Sequence, residues 1–421
     1  MSTSVDERST VPMAMSEAER RAMQSDRIRR IACVGLIAAL MLPAMGWAQA
    51  ASSPTSAQVV RVVEANAYVT PEGKLRRSGR VVIENGVIVQ VGGERPAGTV
   101  VDGYEGGVLC PGLIDCHTGL GVLGPLGEHA AAVQPRVRAR DAFNRYSWQL
   151  RAALEAGITT FGLVPDDENL VGGRVAVCQT ASPEGGARAL TDGGPLKLSL
   201  APGVFKVDRE PTSRSAALGM LREKLEAVHG GSNSSAERDA LRAFAEGRLA
   251  GWLTAPSGAD VLAGVQLADE YGLRLTLIHT HDARLVAGEL GDAVEGVVVG
   301  PLGMMAERRD AEAAKRFVEA GVPVALAGGL PHQPADSLRI GACVATRAGL
   351  PRAAARRAIT SEPAKLLGLG KWIGTIEKGY QADLVVFSGD PLDLRSRVLA
   401  VYVGGCRVYV APATATQGDR P

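Results

Sequence analysis

The chain has 421 residues, with 46 lysines and arginines against 45 aspartates and glutamates, and 46% of its residues are hydrophobic. This globular composition excludes a disordered or collagen-like chain and is long enough for two cores. The formal net charge of +1 argues against a nucleic-acid-binding protein, because such proteins concentrate basic residues to displace counterions from phosphates. The 51 glycines and the 4% aromatic content favour an α/β architecture with many tight turns.

The first residues have the pattern of a secretory signal peptide. Arg27, Arg29 and Arg30 precede an apolar run from Ile31 to Trp47, and small residues follow at Ala48 and Ala50. A basic segment, an apolar run and small residues before a cleavage site define such a leader. The apolar run is at the short limit for a membrane span. We therefore expect residues 1–50 to be a signal peptide and the protein to be periplasmic or extracellular, without a stable membrane anchor; a later start codon stays open.

Short β-rich segments cut by turns follow the leader, and similar segments return only near the C-terminus. Asn85-Gly86 lies between two β-branched runs and predicts a hairpin. Neither group of segments is long enough to form a sheet with its own core. We therefore expect residues 57–107 and 372–411 to form one composite β-sandwich domain.

Residues 108–371 alternate strand-like and helix-like patterns. A helix is predicted over Gly258–Tyr271, because Ser257 is a candidate N-cap and Gly272 a stop. Repeated βα units predict a parallel sheet, and eight strands fit a closed (β/α)8 TIM-like barrel. An open doubly wound sheet stays an alternative. The eight candidate strands are Gly112–Cys116, Ile158–Leu163, Arg174–Cys178, Leu196–Leu200 and four that begin at Gly251, Arg274, Glu295 and Pro323.

One stretch carries a family resemblance. Val108–Gly121 has the sequence VLCPGLIDCHTGLG, which resembles the first barrel strand of the amidohydrolase superfamily, PGxIDxHxH. Gly374–Asp393 resembles the same family's return into its sandwich, and Ala358–Leu369 its last helix. The most similar branch is the imidazolonepropionase-like one. The resemblance implies one or two divalent metals at the C-terminal mouth of the barrel and hydrolysis of amide, cyclic amide or related C–N bonds.

Most metal-binding positions that this resemblance assigns lack a suitable donor. His117 matches the first ligand of the HxH pair, and His279 matches the histidine of the sixth strand. A hydrolytic metal needs about three protein ligands and an open position, so two histidines are too few. The positions without a good donor hold Gly119 (second histidine), Thr254 or Pro256 (fifth strand) and Gly329 (catalytic Asp of the eighth strand).

A displaced metal site is the alternative. His279 and His281 form an HxH pair of their own, and alternate residues of a strand face the same side. With His117 they would give three ligands for a single, weakly bound zinc ion. The competing interpretation makes His279 a hydrogen-bonded strand-end residue and His281 a loop residue facing solvent, and we prefer it.

Other polar residues are weaker candidates, and no catalytic residue is assigned. We expect Asp115 and Asp383 to be structural, holding a strand end and a turn by hydrogen bonds. His332 and Asp336 follow the eighth strand, where barrel enzymes place pocket loops. Alternation points Cys116 away from the His117 face, which argues against a thiol nucleophile. The remaining histidines, His129 and His229, are expected to be exposed.

Two hypotheses are therefore compared. The first is an exported amidohydrolase-family protein with a degraded metal site, which is weakly active or non-catalytic and holds no cofactor or one weakly bound zinc. The second is a hydrolase of C–N bonds, other than peptide bonds, in a small molecule, acting through an altered mononuclear site. Both allow a small-molecule ligand and an oligomer, and neither involves nucleic acid. The missing ligands favour the first hypothesis.

The leader predicts cleavage between Ala50 and Ala51 during export. Mass spectrometry of protein expressed with its own leader should show a mature chain that begins at Ala51. An Ala50→Arg variant is the control, because a large charged residue at the last leader position should block cleavage. A mature protein that retains residues 1–50 would contradict the prediction.

Overall fold

The computed structural model describes residues 60–191, 193–228, 235–278 and 282–412, and the predicted leader lies outside them. These residues form an α/β fold with mixed sheets of seven, six and four strands. The strands are, in chain order, β1 (Arg61–Val69), β2 (Leu75–Glu84), β3 (Val87–Val91), β4 (Val100–Pro111), β5 (Leu113–Thr118), β6 (Ile158–Leu163), β7 (Val171–Arg174), β8 (Ala176–Gln179), β9 (Arg188–Ala189), β10 (Leu196–Ser199), β11 (Gly251–Thr254), β12 (Leu275–Ile278), β13 (Val294–Val299), β14 (Val324–Leu326), β15 (Leu384–Phe387), β16 (Val398–Val403) and β17 (Cys406–Val410).

Helices connect these strands, mostly in the second half of the chain. The α-helices are α1 (Trp148–Glu155), α2 (Arg214–Ala227), α3 (Ala236–Ala245), α4 (Gly258–Tyr271), α5 (Arg308–Glu319), α6 (Ser337–Arg347), α7 (Arg352–Arg357) and α8 (Ser361–Leu366). Short 3-10 turns cover Ala139–Ala142, Pro202–Val204, Asp282–Leu285 and Ala287–Glu289. In the part of the chain that the structure describes, no helix combines the length and apolar character that a membrane crossing requires.

The seven-stranded sheet joins the two ends of the described chain. Its order is β17-β16-β15-β4-β1-β2-β3. β4 lies at the centre, where Leu109 pairs with Tyr68 of β1 in parallel and with Val386 of β15 in antiparallel orientation. Leu109 and Val386 are fully buried. Early and late segments of the chain therefore depend on each other for both hydrogen bonding and burial.

The predicted hairpin is confirmed. Asn85 and Gly86 connect β2 to β3, and both have positive φ, 52° and 80°. Two positive φ angles are what the favoured two-residue hairpin turn requires. A side chain at Gly86 would lie 2.8 Å from the Gly404 carbonyl oxygen. Glycine is thus needed there both for its conformation and for the close approach of the β16–β17 turn.

The six-stranded sheet contains the predicted parallel strands. Its order is β14-β13-β12-β11-β10-β7, and β10 to β14 run parallel. The four strands predicted to begin near Gly251, Arg274, Glu295 and Pro323 are confirmed as β11 to β14.

Helix α4 begins and ends at the capping residues expected from the sequence. Ser257 and Asp260 form a reciprocal capping box at its start, which satisfies backbone N–H groups that have no partner inside the helix. Gly272 ends it with a left-handed φ of 67°. The prediction of a helix over Gly258–Tyr271 is confirmed at both ends.

The prediction of one strand over Arg174–Cys178 is wrong. The chain breaks at Val175 into β7 and β8. β7 runs antiparallel to β10, whereas β8 runs antiparallel to β6 in the four-stranded sheet, whose order is β5-β6-β8-β9. Gly173 has a φ of 113°, and a side chain there would lie 2.5 Å from the Val137 carbonyl oxygen. The break at Val175 separates β7 and β8 into different sheets, and no closed sheet is found within the described residues.

The carboxyl ends of the parallel strands lie close together. β5 and β6 are parallel neighbours, and the Gly119 N–H after β5 donates to the Leu330 carbonyl after β14 at 2.9 Å. The ends of β10 and β11 are adjacent through Ser199 and Thr254. We call these strand ends, with the loops that follow them, the mouth.

Deleting residues 372–421 should destabilise the protein severely. The deletion removes β15, β16 and β17 and leaves one edge of β4 unpaired, with its buried apolar face uncovered. We expect an insoluble protein or a melting temperature well below that of the full chain. Deletion of 413–421 is the control, because it leaves every described strand in place. A soluble 372–421 deletion with an unchanged melting curve would show that the two ends fold independently.

Candidate functional site

His117 is placed at the mouth by β5. Its side chain is half-buried, while Cys116 and Thr118 on either side are buried. Burial raises the pKa of the Cys116 thiol well above its usual range, so this thiol is held in its unreactive protonated form. The expectation that Cys116 is no nucleophile agrees with this environment.

Asp115 ties the first strand to the last. Its carboxylate accepts the His117 N–H at 3.3 Å and, after β14, the Gly328 N–H at 3.0 Å. Burial raises the pKa of Asp115 to about 7, while the two backbone donors act in the opposite direction. Asp115 is therefore the structural residue that the sequence predicted, with both oxygens engaged by the protein itself.

The two glycines at predicted metal-binding positions differ in the space around them. A side chain at Gly119 would have Pro331 Cδ as its nearest neighbour at 3.5 Å, which is ordinary contact. Gly329 has a φ of 77°, and a Cβ there would lie 2.9 Å from two carbons of Pro301. An aspartate at position 329 would therefore be strained. Position 119 has room for a side chain, but its glycine offers no donor atom.

The hydroxyl of Thr254, the candidate of the fifth strand, accepts a hydrogen bond from a lysine. The fully buried Lys197 of β10 donates from Nζ to the Thr254 hydroxyl at 3.0 Å and to the Leu198 carbonyl at 2.9 Å. The same ammonium forms an ion pair with Asp167, which follows β6. Pro256, the other candidate at this position, has no donor atom to offer a metal. A positive charge thus lies next to the Thr254 hydroxyl.

Three consecutive acids after β6 organise the charges of the mouth. They are paired in turn with bases from other segments: Asp166 with His129, Asp167 with Lys197 and Glu168 with Lys206. The Asp166–His129 distance is 3.0 Å, and both side chains are about one third exposed, at 31% and 35%. His129, which was expected to be exposed, is thus partly exposed and has an acidic partner that the sequence did not indicate.

Lys197 is a site residue that was not predicted, although its sequence context carries a signal. The strand Leu196–Ser199 has the sequence LKLS and is buried at all four positions. A lysine inside a fully buried strand is rarely tolerated unless it is paired. The pairing partner could not be read from the pattern, because Asp167 is 30 residues away.

The remaining candidates are dispersed. His332 and Asp336 are exposed in the loop after β14. Asp383 accepts the Gly404 N–H at 2.7 Å and the Gln179 side-chain amide at 2.8 Å, and burial raises its pKa. Asp383, directly before β15, is thus structural, as predicted, and it holds the turn between β16 and β17. The histidines that lie outside the described residues are His229, His279 and His281.

The described residues do not fit a divalent metal in the usual arrangement of the resembling family. Among residues 60–191, 193–228, 235–278 and 282–412, no three His, Cys, Asp or Glu side chains are grouped to hold a metal ion. His117 is the retained imidazole there, both oxygens of Asp115 accept backbone donors, and the Thr254 hydroxyl faces the Lys197 ammonium. Two histidines of the displaced site, His279 and His281, lie outside the described residues.

Known proteins resemble different parts of the chain. An amidohydrolase family model matches residues 306–409. The amidohydrolase tasK of Hapsidospora irregularis is 23% identical, and the match covers 80% of this chain and 41% of that protein. This chain therefore spans about two fifths of the length of that relative.

Solved structures share the fold over most of the chain. An amidohydrolase from Thermotoga maritima MSB8 is 26% identical, with a TM-score of 0.76, over 83% of this chain and 100% of that one. A prolidase complexed with N-methylphosphonate-L-proline is 18% identical with a TM-score of 0.54, over 84% of this chain and 100% of that one. A molinate hydrolase is 15% identical with a TM-score of 0.53, over 86% and 99% of the two chains.

These similarities agree with the residues on which the resemblance rests. The family model covers the C-terminal part with its QADLVVF strand, while the T. maritima structure extends the match over most of the described fold. The chain is therefore similar to amidohydrolases both in its C-terminal sequence and in its fold.

Proposed function

We propose that this chain is an exported amidohydrolase-family protein with a degraded metal site, weakly active or non-catalytic. The proposal rests on the shortage of metal-binding atoms at the positions where the resemblance assigns ligands. Gly119 has no donor, Gly329 has no room for one, and the Thr254 hydroxyl accepts a hydrogen bond from the Lys197 ammonium. A catalytic zinc ion needs about three protein ligands, and His117 alone remains from the described positions.

The architecture proposed with this function is a (β/α)8 barrel over residues 108–371 beside a composite β-sandwich of 57–107 and 372–411. Two observations support it. β10 to β14 are parallel neighbours, and the ends of β5 and β14 are joined by the Gly119–Leu330 hydrogen bond. The shared sheet of β1–β4 and β15–β17 supports the composite domain.

A mouth of this kind would bind a small molecule, since barrel proteins place their ligand sites at the carboxyl ends of the strands. The near-zero net charge does not favour nucleic acid as a partner. Export rests on the leader sequence, and self-association is left to experiment.

The second candidate is a C–N hydrolase with a single displaced metal held by His117, His279 and His281. The similarity to amidohydrolases and the HxH pair of His279 and His281 support it. A metal bound there would lower the pKa of a bound water toward neutrality. On this chain, His117 would contribute one imidazole from the end of β5, where the Asp115 carboxylate holds its backbone N–H.

Metal content separates the two candidates. Elemental analysis of wild-type protein purified without chelator should find well under one zinc or manganese per chain. The same preparation should not hydrolyse simple amides, hydantoin-like rings or dipeptides above background. The physical reason is the shortage of donors at the mouth.

Variants provide the control. Stoichiometric metal that is lost in His279→Ala or His281→Ala, but retained in His332→Ala, would contradict the proposal and establish the displaced site. His332 is the matched control because it is an exposed histidine in a loop of the same mouth.

A further inference from the structure

Lys197 is a fully buried basic side chain at the mouth. It lies on β10 between Leu196 and Leu198, and its side chain has an exposed fraction of 0%. The strand around it is buried at every position. Burying an ammonium group is costly unless it is paired and fully hydrogen-bonded. Its surroundings must therefore supply that compensation.

Three acceptors supply it. The Nζ atom donates to the Thr254 hydroxyl at 3.0 Å, to the Leu198 carbonyl at 2.9 Å and to the Asp167 carboxylate. An ammonium has three N–H donors and no acceptor, so the set of partners is complete. Because all three N–H donors are bonded to the protein, this ammonium is a fixed positive charge and not a nucleophile.

The position of this charge matters because of what it contacts. Thr254 ends β11 and is one of the two candidates, with Pro256, for the position where the superfamily resemblance assigns a metal-binding histidine. Asp167 comes from the loop after β6, and its side chain is 32% exposed, so it reaches from Lys197 toward the surface of the mouth. The ammonium therefore lies between a hydroxyl and a carboxylate, the two kinds of oxygen that a divalent cation would use.

We propose that the Lys197 ammonium is the resident cation of the mouth: it neutralises Asp167, fixes Thr254 and keeps divalent metal ions out. This inference rests on the proposed function, because it explains how the mouth tolerates the loss of a metal. A metal ion next to Thr254 would face a like charge at close range, and the Asp167 carboxylate would already be engaged. Two cations cannot share these oxygens without strong repulsion.

A neighbouring ion pair offers a matched control. Lys206 pairs with Glu168, the residue after Asp167, but its side chain is 29% exposed and that of Glu168 is 41% exposed. Solvent screens such a pair and can replace it. Loss of the Lys206 charge should therefore leave metal binding at the mouth unchanged, whereas loss of the Lys197 charge should alter it.

The test is divalent-ion binding by wild type, Lys197→Met, Lys197→Gln and Lys206→Met. Each full-length protein is titrated with ZnCl2 and MnCl2, and both bound metal and melting temperature are measured. We expect the two Lys197 variants to bind a divalent ion at least about tenfold more tightly than wild type, the scale on which groups beside ligands change metal affinity. Lys197→Gln is included because its amide can still donate to Thr254 and Leu198, which favours folding.

A double variant identifies the oxygen involved. Lys197→Met combined with Asp167→Asn removes the ammonium and the carboxylate together, so the gain in affinity should disappear. If the gain in metal affinity persists in the double variant, Asp167 is not the carboxylate from which Lys197 excludes the metal. That result would overturn the proposal.

The outcomes separate this inference from the proposed function. Folded Lys197 variants that bind no more metal than wild type would overturn the inference and leave the proposed function intact. Stoichiometric, tightly bound metal in wild type would overturn both. The wild-type melting temperature should not rise with either salt. A rise of several degrees would overturn the inference even if no Lys197 variant folds.

Discussion

The structure depends on one uninterrupted piece of backbone that crosses from the seven-stranded sheet into the mouth. β4 ends at Pro111, and Gly112 alone separates it from β5. The Gly112 N–H donates to the Asp383 carbonyl at 2.8 Å, and a Cβ at this position would lie 2.1 Å from the Thr159 hydroxyl oxygen. Only glycine fits between these neighbours. The junction therefore sets where His117 emerges, and the sheet built from both chain ends determines the geometry of the first strand at the mouth.

Polar groups at the mouth are directed largely toward the protein itself. Asp115 bonds two backbone amides, and Asp167 neutralises a buried lysine. In a hydrolytic site, carboxylates and imidazoles converge on a metal, a water or a substrate. In the described residues, Asp115 and Asp167 are satisfied by backbone N–H groups and by a neighbouring ammonium group. These internal contacts hold the strand and loop ends of the mouth together.

Local patterns predicted the local parts of the fold. The Asn85-Gly86 hairpin and the caps of α4 follow from residues adjacent in sequence, so they could be anticipated. The division of Arg174–Cys178 into two strands could not be anticipated, because each half pairs with a strand from another part of the chain. The role of Lys197 depends likewise on Asp167 across the fold. The crowding at Gly329 arises from Pro301, a contact that no spacing rule encodes.

The central position of β4 also has a consequence for the order of folding during synthesis. β1 and β2 are available early, but the partners on the other edge come late: Tyr402 donates to Asp102 across a sequence separation of 300 residues. At about 5–20 residues per second, a ribosome needs roughly 15–60 s to synthesise that interval. For most of this time the edge of β4 that will pair with β15, at Val108–Pro111, has no native partner. The nascent chain therefore passes through a stage that is open to intermolecular strand pairing, and chaperone binding would be most valuable at that stage.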